Sequence, residues 1–303
     1  MKKIIISSIL SMAALTATAQ TYELTVPRKW EPIRSEHLQM GGKSPDGGSI
    51  EVNNYYIIRD GKPVIPVMGE FHYSRYPAEQ WEQEIIKMKA GGVNVIPSYI
   101  FWSLHEPVEG KFCWEGNLNL RRFIELCKKH DMDVIVGHGE IRSGALPDWL
   151  FTKNLDVRSN DPKYLAYTKI LYMEIAKQLQ GLYYKDGGPI IGCQLENEHQ
   201  HSAAPWAINY TGEKVLDFTA ASYDKGITKL GVSVQEGNIS AAELGNRHMV
   251  TLHRMAEEAG IITPFYTATG WGNAAVIPGK AIPVTAGYTY PTWFPDQRKS
   301  DFC

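Results

Sequence analysis

Cysteine is scarce in this 303-residue sequence. The four cysteines form no closely spaced pair, and one of them lies in an apolar run typical of a buried strand: Cys113, Cys127, Cys193 and Cys303. Disulfide frameworks and cysteine metal sites show regular, close spacings. The sequence therefore predicts that these cysteines pack in the interior and that they form neither a disulfide frame nor a metal site.

Neither sign of charge is in excess. The chain has 31 basic and 33 acidic side chains, a formal net charge of −2, and 44% hydrophobic residues. Proteins that bind nucleic acids carry excess basic charge, and disordered chains have few apolar residues, so the composition excludes both classes. No glycine-rich phosphate-binding loop occurs, and no cofactor is predicted.

Apolar runs long enough to cross a membrane are also lacking. A spanning helix needs about 20 consecutive apolar residues, whereas the N-terminal run extends only from Ile4 to about Leu15. This run follows lysines at positions 2 and 3 and precedes the small-residue pattern at positions 17–19. These features predict a cleaved secretory signal over residues 1–19, a secreted or periplasmic mature chain, and no membrane span.

The body of the chain divides into two predicted regions. Residues 20–66 form an N-terminal region with extended segments, in which Arg59-Asp60-Gly61-Lys62 is typical of a hairpin turn. From residue 67 to residue 303, strand-like and helix-like segments alternate. The predicted strands are Val67–His72, Val93–Phe101, Asp133–Val136, Pro189–Glu198, Pro264–Thr269 and Ile282–Tyr288. The predicted helices are Ala78–Ala90, Leu118–His130, Pro162–Leu179 and Asn246–Ala259, with Asp161 capping the third.

This alternation predicts an α/β fold of the (β/α)8 TIM-barrel class. Polar and aromatic residues follow each strand, which is typical of a barrel with its site at the carboxyl ends of the strands. A complete barrel needs eight strands, and the sequence supplies about six. The prediction is therefore an incomplete barrel over residues 67–303.

The stretch from Asp186 to Glu198 carries the strongest chemical signal. A turn with Gly187, Gly188 and Pro189 leads into an apolar strand that ends in the cluster Glu196-Asn197-Glu198. Carboxylates at the end of a parallel strand are typical of active sites. They can equally share a solvated strand face, and the residues alone leave both readings open.

Three motifs together resemble those of glycoside hydrolase family 35. They are Gly69-Glu70-Phe71-His72-Tyr73-Ser74-Arg75, Phe101-Trp102-Ser103-Leu104-His105-Glu106-Pro107, and the stretch from Gly187 to Glu198. The resemblance runs from about Tyr55 to Tyr290. It implies a (β/α)8 barrel and the activity of a retaining exo-β-galactosidase, which removes terminal β-galactosyl residues from oligosaccharides and polysaccharides.

The resemblance also assigns roles to four residues. Glu198 matches the general acid/base, and Asn197 matches the residue that holds the sugar 2-hydroxyl. Tyr99 and Glu140 match positions that bind galactose hydroxyls. A general acid is needed because a glycosidic oxygen is a poor leaving group until it is protonated. The expected partner is a carbohydrate that contains a β-galactoside.

Several of these residues have structural alternatives. Tyr99 is either a pocket residue or a core aromatic, and Glu140 is either a sugar ligand or a solvated loop carboxylate. Glu196 is predicted to support the Asn197-Glu198 pair. Glu70 and His72 either line the pocket, the preferred interpretation, or satisfy hydrogen bonds within the barrel.

A zinc site is not predicted. His199 and His201 lie beside the glutamates, but their spacing matches no metal-binding helix motif, and the resemblance implies no metal.

A retaining glycosidase also needs a second carboxylate about 5 Å from the first to act as nucleophile. The resemblance places it on a seventh strand, after Tyr288 and Tyr290, and no glutamate follows those residues before Cys303. The sequence therefore predicts that the nucleophile is absent from this chain. The alternative function is a truncated, catalytically inactive fragment that at most binds sugar.

Overall fold

The computed structural model describes residue 33 and residues 41–53, 55–137, 145–197, 241–269 and 281–285. All of them belong to the compact unit that extends from Ile33 to Cys303. The predictions for residues 1–19, Glu140, Glu198, His199, His201 and Cys303 lie outside the described residues.

The first four strands form an antiparallel sheet in sequential order: β1 (Gly41–Lys43), β2 (Ser49–Val52), β3 (Ile57–Arg59) and β4 (Lys62–Val64). The predicted hairpin turn is confirmed, because Asp60 and Gly61 join β3 to β4 with φ angles of 52° and 74°. Glycine adopts this left-handed conformation without steric cost, and aspartate tolerates it better than most residues.

The next five strands form a parallel sheet: β5 (Val95–Tyr99), β6 (Asp133–Gly137), β7 (Ile190–Leu195), β8 (Phe265–Thr269) and β9 (Ala281–Thr285). The helices are α1 (Trp81–Ala90), α2 (Trp102–His105), α3 (Leu120–Lys129), α4 (Pro162–Leu179) and α5 (Ala241–Ala259). Short 3-10 helices occupy Tyr73–Arg75, Gly116–Leu118, Asp148–Thr152 and Tyr184–Asp186. The predicted alternation of strands and helices is confirmed from β5 to β8, and the residues between β8 and β9 lie outside the described part of the chain. The described part is thus an α/β unit with a parallel sheet, as expected of part of a TIM-barrel-like fold.

The predicted first strand, Val67–His72, pairs less regularly than expected. The segment runs parallel to β5, and the amides of Gly69 and Phe71 donate to the carbonyls of Val95 and Pro97, each at 3.0 Å. It nevertheless forms a single ladder bridge, between Met68 and Val95. Pro97 explains the interruption, because proline has no N–H to donate back to the neighbouring strand.

The two faces of the parallel sheet bury different groups of residues. One face packs against the helices in a large core that includes Ile96, Val134 and Ile190. On the opposite face, at the amino ends of the strands, Val95, Ile135 and Ile191 form a second cluster with Ile50 of β2. The antiparallel sheet therefore covers the inner face of the parallel sheet at its amino end.

Polar contacts fix this arrangement. Arg59 on β3 forms an ion pair with Asp133 at the start of β6, at 2.5 Å, and its guanidinium lies 5.6 Å from the centre of the Tyr184 ring. Cys127 and Cys193 are fully buried, as predicted, whereas Cys113 is only partly buried.

Candidate functional site

A layer of side chains crosses the parallel sheet near its carboxyl end. The strand register pairs Tyr99 with Gly137, Gly137 with Gln194, and Gln194 with Tyr266. Residues paired in this way lie at one level, as in the side-chain layers of a barrel interior. Four consecutive strands therefore contribute one residue each to the same layer.

Gly137 makes room for the Tyr99 ring within this layer. A Cβ at position 137 would lie 2.4 Å from Tyr99 Cδ1 and 2.7 Å from Cε1. The ring thus lies directly against the backbone of β6. Its hydroxyl reaches the next strand, where its single proton faces two acceptors, Gln194 Oε1 of β7 at 3.2 Å and Asn197 Oδ1 after β7 at 3.4 Å.

Gln194 connects the layer to the residues that follow β7. It is 2% exposed, and its Nε2 donates to Asn197 Oδ1 at 2.9 Å and to the Glu196 carbonyl at 2.8 Å. A buried amide needs such partners, because an unsatisfied polar group in the interior is costly. Tyr99, Gln194 and Asn197 consequently form one hydrogen-bonded group.

Glu196 lies on the other side of this group, away from the sheet interior. Its side chain is fully buried and forms an ion pair with Arg158, which precedes α4. Arg158 Nη2 also donates to the carbonyl of Asn197 at 2.8 Å. The placement of Glu196 agrees with the predicted supporting role.

Tyr266 brings a second phenol into the layer. Burial is the main cause that raises its pKa well above the usual range, and the charges of Tyr99, Cys193 and Glu70 act in the same direction. An ordinary phenol is already protonated at physiological pH, so the Tyr266 hydroxyl can donate a hydrogen bond.

Glu70 and His72 lie at the rim of the layer. His72 Nε2 contacts Glu70 Oε1 at 2.5 Å, and the His72 ring meets the rings of Tyr99 and Phe101 edge-on at 5.5 Å and 5.3 Å between centroids. Arg75 stacks its guanidinium over Phe101 at 4.1 Å. The preferred sequence interpretation, in which Glu70 and His72 line the pocket, fits this placement beside Tyr99.

The structure thus brings together two of the four predicted site residues, Tyr99 and Asn197. Sequence reasoning did not single out Gln194 or Arg158. Gln194 carries a recognisable signal, a polar residue inside an otherwise apolar strand. Arg158 carries none, because its partners lie 38 and 39 residues further along the chain.

Among the residues that the structure describes, no helix is long and apolar enough to cross a membrane. Over the same residues, no group of three or more histidine, cysteine, aspartate or glutamate side chains is arranged to hold a metal ion.

The chain is also similar over part of its length to two solved structures, each with a TM-score below 0.5. A GH5_18 protein from Streptomyces cattleya, solved with GlcNAc, has a TM-score of 0.46 and 12% identity, covering 68% of this chain and 44% of that protein. An exo-β-1,4-mannosidase from an Opitutaceae bacterium has a TM-score of 0.46 and 13% identity, covering 76% and 33%.

Proteins related by sequence have higher identity to this chain. A β-galactosidase from Bos taurus is 35% identical over 247 residues, which are 73% of this chain and 37% of the relative. The Homo sapiens β-galactosidase is 30% identical over 244 residues, with 73% and 36% covered. A β-galactosidase from Xanthomonas manihotis is 36% identical over 176 residues, with 56% and 29% covered. The chain therefore spans about a third of the length of these curated relatives.

The profile that describes glycosyl hydrolases family 35 matches residues 56–294, which is most of the chain and includes the layer from Tyr99 to Tyr266. The chain belongs to glycosyl hydrolases family 35.

Proposed function

We propose that this chain supplies the galactose-binding and proton-transfer part of a retaining exo-β-galactosidase that acts on terminal β-galactosyl residues. The observation that carries the proposal is the hydrogen-bonded group of Tyr99, Gln194 and Asn197 at the carboxyl end of the sheet. Membership of family 35 and the β-galactosidases among its relatives support the sugar assignment.

The orientation of the Asn197 amide supports its proposed contact with the sugar. Its Oδ1 accepts from Gln194 Nε2 and from the Tyr99 hydroxyl. Because both of these donors face the amide oxygen, the group of the Asn197 side chain that is left to contact a ligand is the donor Nδ2. We infer that Nδ2 donates to the 2-hydroxyl oxygen of galactose. Such a bond strengthens as positive charge develops beside the 2-carbon in the transition state.

Glu198 is the proposed general acid/base and directly follows Asn197 in the chain. As a carboxylic acid it protonates the glycosidic oxygen, and as a carboxylate it later takes a proton from the attacking water. Tyr99 and Glu140 are proposed to bind galactose hydroxyls. The covalent intermediate requires a second carboxylate about 5 Å away, on the opposite side of the reacting carbon.

Hydrolysis of a chromogenic β-galactoside by the purified chain, compared with Glu198→Gln, tests the proposal. The matched control is Glu258→Gln, the same change at an exposed glutamate of α5. Loss of hydrolysis in Glu198→Gln alone supports the acid/base role and contradicts the predicted absence of the nucleophile. Galactose binding without hydrolysis supports the binding-only function. Absence of both hydrolysis and galactose binding in a folded sample contradicts the proposal.

We also propose that residues 1–19 are a secretory signal, that residues 20–66 form the N-terminal region and that residues 67–303 form the incomplete barrel. The mature protein is then secreted or periplasmic. N-terminal sequencing of protein recovered from the periplasm or medium should begin at Gln20. Recovery of only the full-length chain from the cytoplasm would contradict export.

A further inference from the structure

We propose that Arg158 is a positioning residue that fixes the turn formed by Glu196 and Asn197 after β7, and through it the amide that contacts galactose. The functional part of this inference rests on the proposed role of Asn197. The guanidinium makes two contacts with the turn: Nε donates to Glu196 Oε1, and Nη2 donates to the carbonyl oxygen of Asn197.

The backbone at both ends of this contact is strained. Arg158 has a φ of 55° and Glu196 a φ of 56°. For residues with a Cβ, this left-handed conformation costs on the order of 1 kcal/mol each and persists only where the surroundings enforce it. At Glu196 this conformation ends the strand, and Asn197 follows directly after it. The ion pair joins these two strained residues and is therefore one of the contacts that hold the turn.

The ion pair between Arg158 and Glu196 is buried, so its geometry matters for stability. The side chains of Arg158 and Glu196 are 6% and 0% exposed. Two buried charges stabilise a structure only when their geometry is good and further hydrogen bonds satisfy them. The bond from Arg158 to the Asn197 carbonyl is such a bond, so the cation is placed where it holds both residues of the turn.

The turn is held from two sides. From the sheet interior, Gln194 donates to the Glu196 carbonyl. From the helix side, Arg158 donates to the Asn197 carbonyl. The carbonyls of consecutive residues are thus fixed by different elements, which places the Asn197 backbone where its amide meets Gln194 and Tyr99.

The loop that carries Arg158 is itself well anchored. Asp161 accepts from the amide of Asp156 at 2.8 Å, and the Ser159 hydroxyl donates to the Asp156 carbonyl at 2.7 Å. His248 of α5 contacts Asn160 Oδ1 at 2.9 Å. Arg158 therefore presents its guanidinium from the loop before α4, and hydrogen bonds tie this loop to the cap of α4 and to α5.

The test compares Arg158→Lys, Arg158→Met and the double variant Arg158→Met/Glu196→Met with the unmodified chain. Three quantities are measured: affinity for isopropyl β-thiogalactoside, thermal unfolding, and hydrogen exchange of peptides that cover residues 190–197. The double variant replaces the buried charges by apolar side chains of similar volume, a change that is often neutral for stability. It removes the bond to the Asn197 carbonyl all the same.

We expect Arg158→Met to weaken thiogalactoside binding at least about tenfold and to speed exchange in the 190–197 peptides, because it leaves a buried carboxylate without its cation. We expect the double variant to regain the melting temperature but not the affinity. Recovery of both would overturn the inference, since Arg158 would then act only on stability. If Arg158→Met does not fold, Arg158→Lys provides the test. Lysine keeps the positive charge but lacks the forked pair of donors. This variant should bind the thiogalactoside more weakly, with a melting temperature close to that of the unmodified chain.

Arg121→Met is the matched control. Arg121 also pairs with a glutamate, Glu125 at 3.0 Å, and donates to two backbone carbonyls, but it does so on the surface at the end of α4. It should leave binding and the exchange of residues 190–197 unchanged. If the unmodified chain does not bind the thiogalactoside, the proposed function fails. The exchange data then decide the positioning role alone, and equal exchange in Arg158→Met and Arg121→Met contradicts it.

Discussion

Single residues determine the shape of the candidate pocket. The Tyr99 ring lies against β6 only because position 137 is glycine, and from there its hydroxyl reaches Gln194 and Asn197 on the next strand. Gly137 does not have a left-handed φ, unlike the turn glycines. Glycine is needed here because it has no side chain, which leaves space in the layer for an aromatic ring from the neighbouring strand.

Gly137→Ala should therefore disturb the pocket. The added Cβ would lie within 2.7 Å of two ring carbons of Tyr99, so the ring must move. Such overpacking typically costs about 1–3 kcal/mol. We expect a lower melting temperature and at least about tenfold weaker binding of galactose, measured by calorimetry.

Gly192→Ala is the control for this change. It is a glycine of the adjacent strand β7, and its new Cβ would meet its nearest neighbour, Ile135 Cγ1, at an ordinary 3.6 Å. Its galactose affinity should stay close to that of the unmodified chain. Equal losses in both alanine variants would show that Tyr99 is not the reason for glycine at position 137.

The buried side chain of His105 makes the free energy of unfolding depend on pH. It is fully buried, its Nε2 accepts from the Tyr73 hydroxyl at 2.6 Å, and its Nδ1 donates to the Cys113 carbonyl at 2.9 Å. Burial lowers its pKa from 6.5 to about 4, and the bond to Cys113 opposes this shift. Neutral His105 therefore contributes stability that is complete above pH 6.5 and is lost as the pH falls through about 4.

The loss should amount to about 3 kcal/mol between these limits. Urea denaturation at pH 7 and pH 4 measures it. His105→Asn keeps a donor for the Cys113 carbonyl but cannot titrate, so its stability should fall less over the same range. A fall equal to that of the unmodified chain would exclude His105 as the titrating group.

At the scale of elements, local signals define helices and turns well. The sequence predicted α4 with its observed bounds, Pro162–Leu179, and predicted Asp161 as its cap. Asp161 Oδ1 accepts from the amide of Lys163 at 2.8 Å. Proline at the first position and a capping carboxylate before it are both contained in four consecutive residues, so the prediction needed no distant contact.

The first strand shows where such local reasoning ends. Val67–His72 has the composition of a strand, yet regular pairing stops at Pro97, thirty residues away on β5. Whether an apolar segment completes a ladder depends on the donors of its neighbour, which its own sequence does not contain. The course of this segment was predictable, and the interruption of its hydrogen bonds was not.

Asp161→Ala tests the cap. The substitution removes the bonds from the amides of Lys163 and Asp156, which also lower the pKa of this carboxyl group. We expect the melting temperature to fall by roughly 2–4 °C. Asp161→Asn retains an acceptor, so its melting temperature should fall less. Circular dichroism measures both melting temperatures. An alanine variant that melts like the unmodified chain would show that the cap does not stabilise α4.

On the scale of the whole molecule, an apolar strip lies exposed beside the parallel sheet. Ile65, Val67 and Met68 are 82%, 46% and 50% exposed. Within the described residues, the segment they belong to pairs only with β5. An exposed strand edge with apolar side chains is a surface on which chains associate.

We therefore expect the chain to associate as its concentration rises, and Ile65→Lys/Met68→Lys to shift it towards the monomer. Sedimentation velocity over a range of concentrations measures the distribution. Ile86→Lys introduces the same type of change on α1, where the side chain is 48% exposed, and should have less effect. A monomer that unfolds cooperatively at all concentrations would contradict this prediction.

Four features could be predicted without coordinates: the order of strands and helices, the Asp60-Gly61 hairpin turn, the α4 cap and the relationship to family 35. Each of them depends on neighbouring residues or on motifs that occur in a fixed order. The sequence also pointed to Tyr99 and Asn197. Only the tertiary structure showed the Gly137 gap, the Gln194 bonds and the Arg158 contact with the turn after β7. These features join residues up to 95 positions apart, and the parallel register that brings them together depends on the packing of the whole sheet.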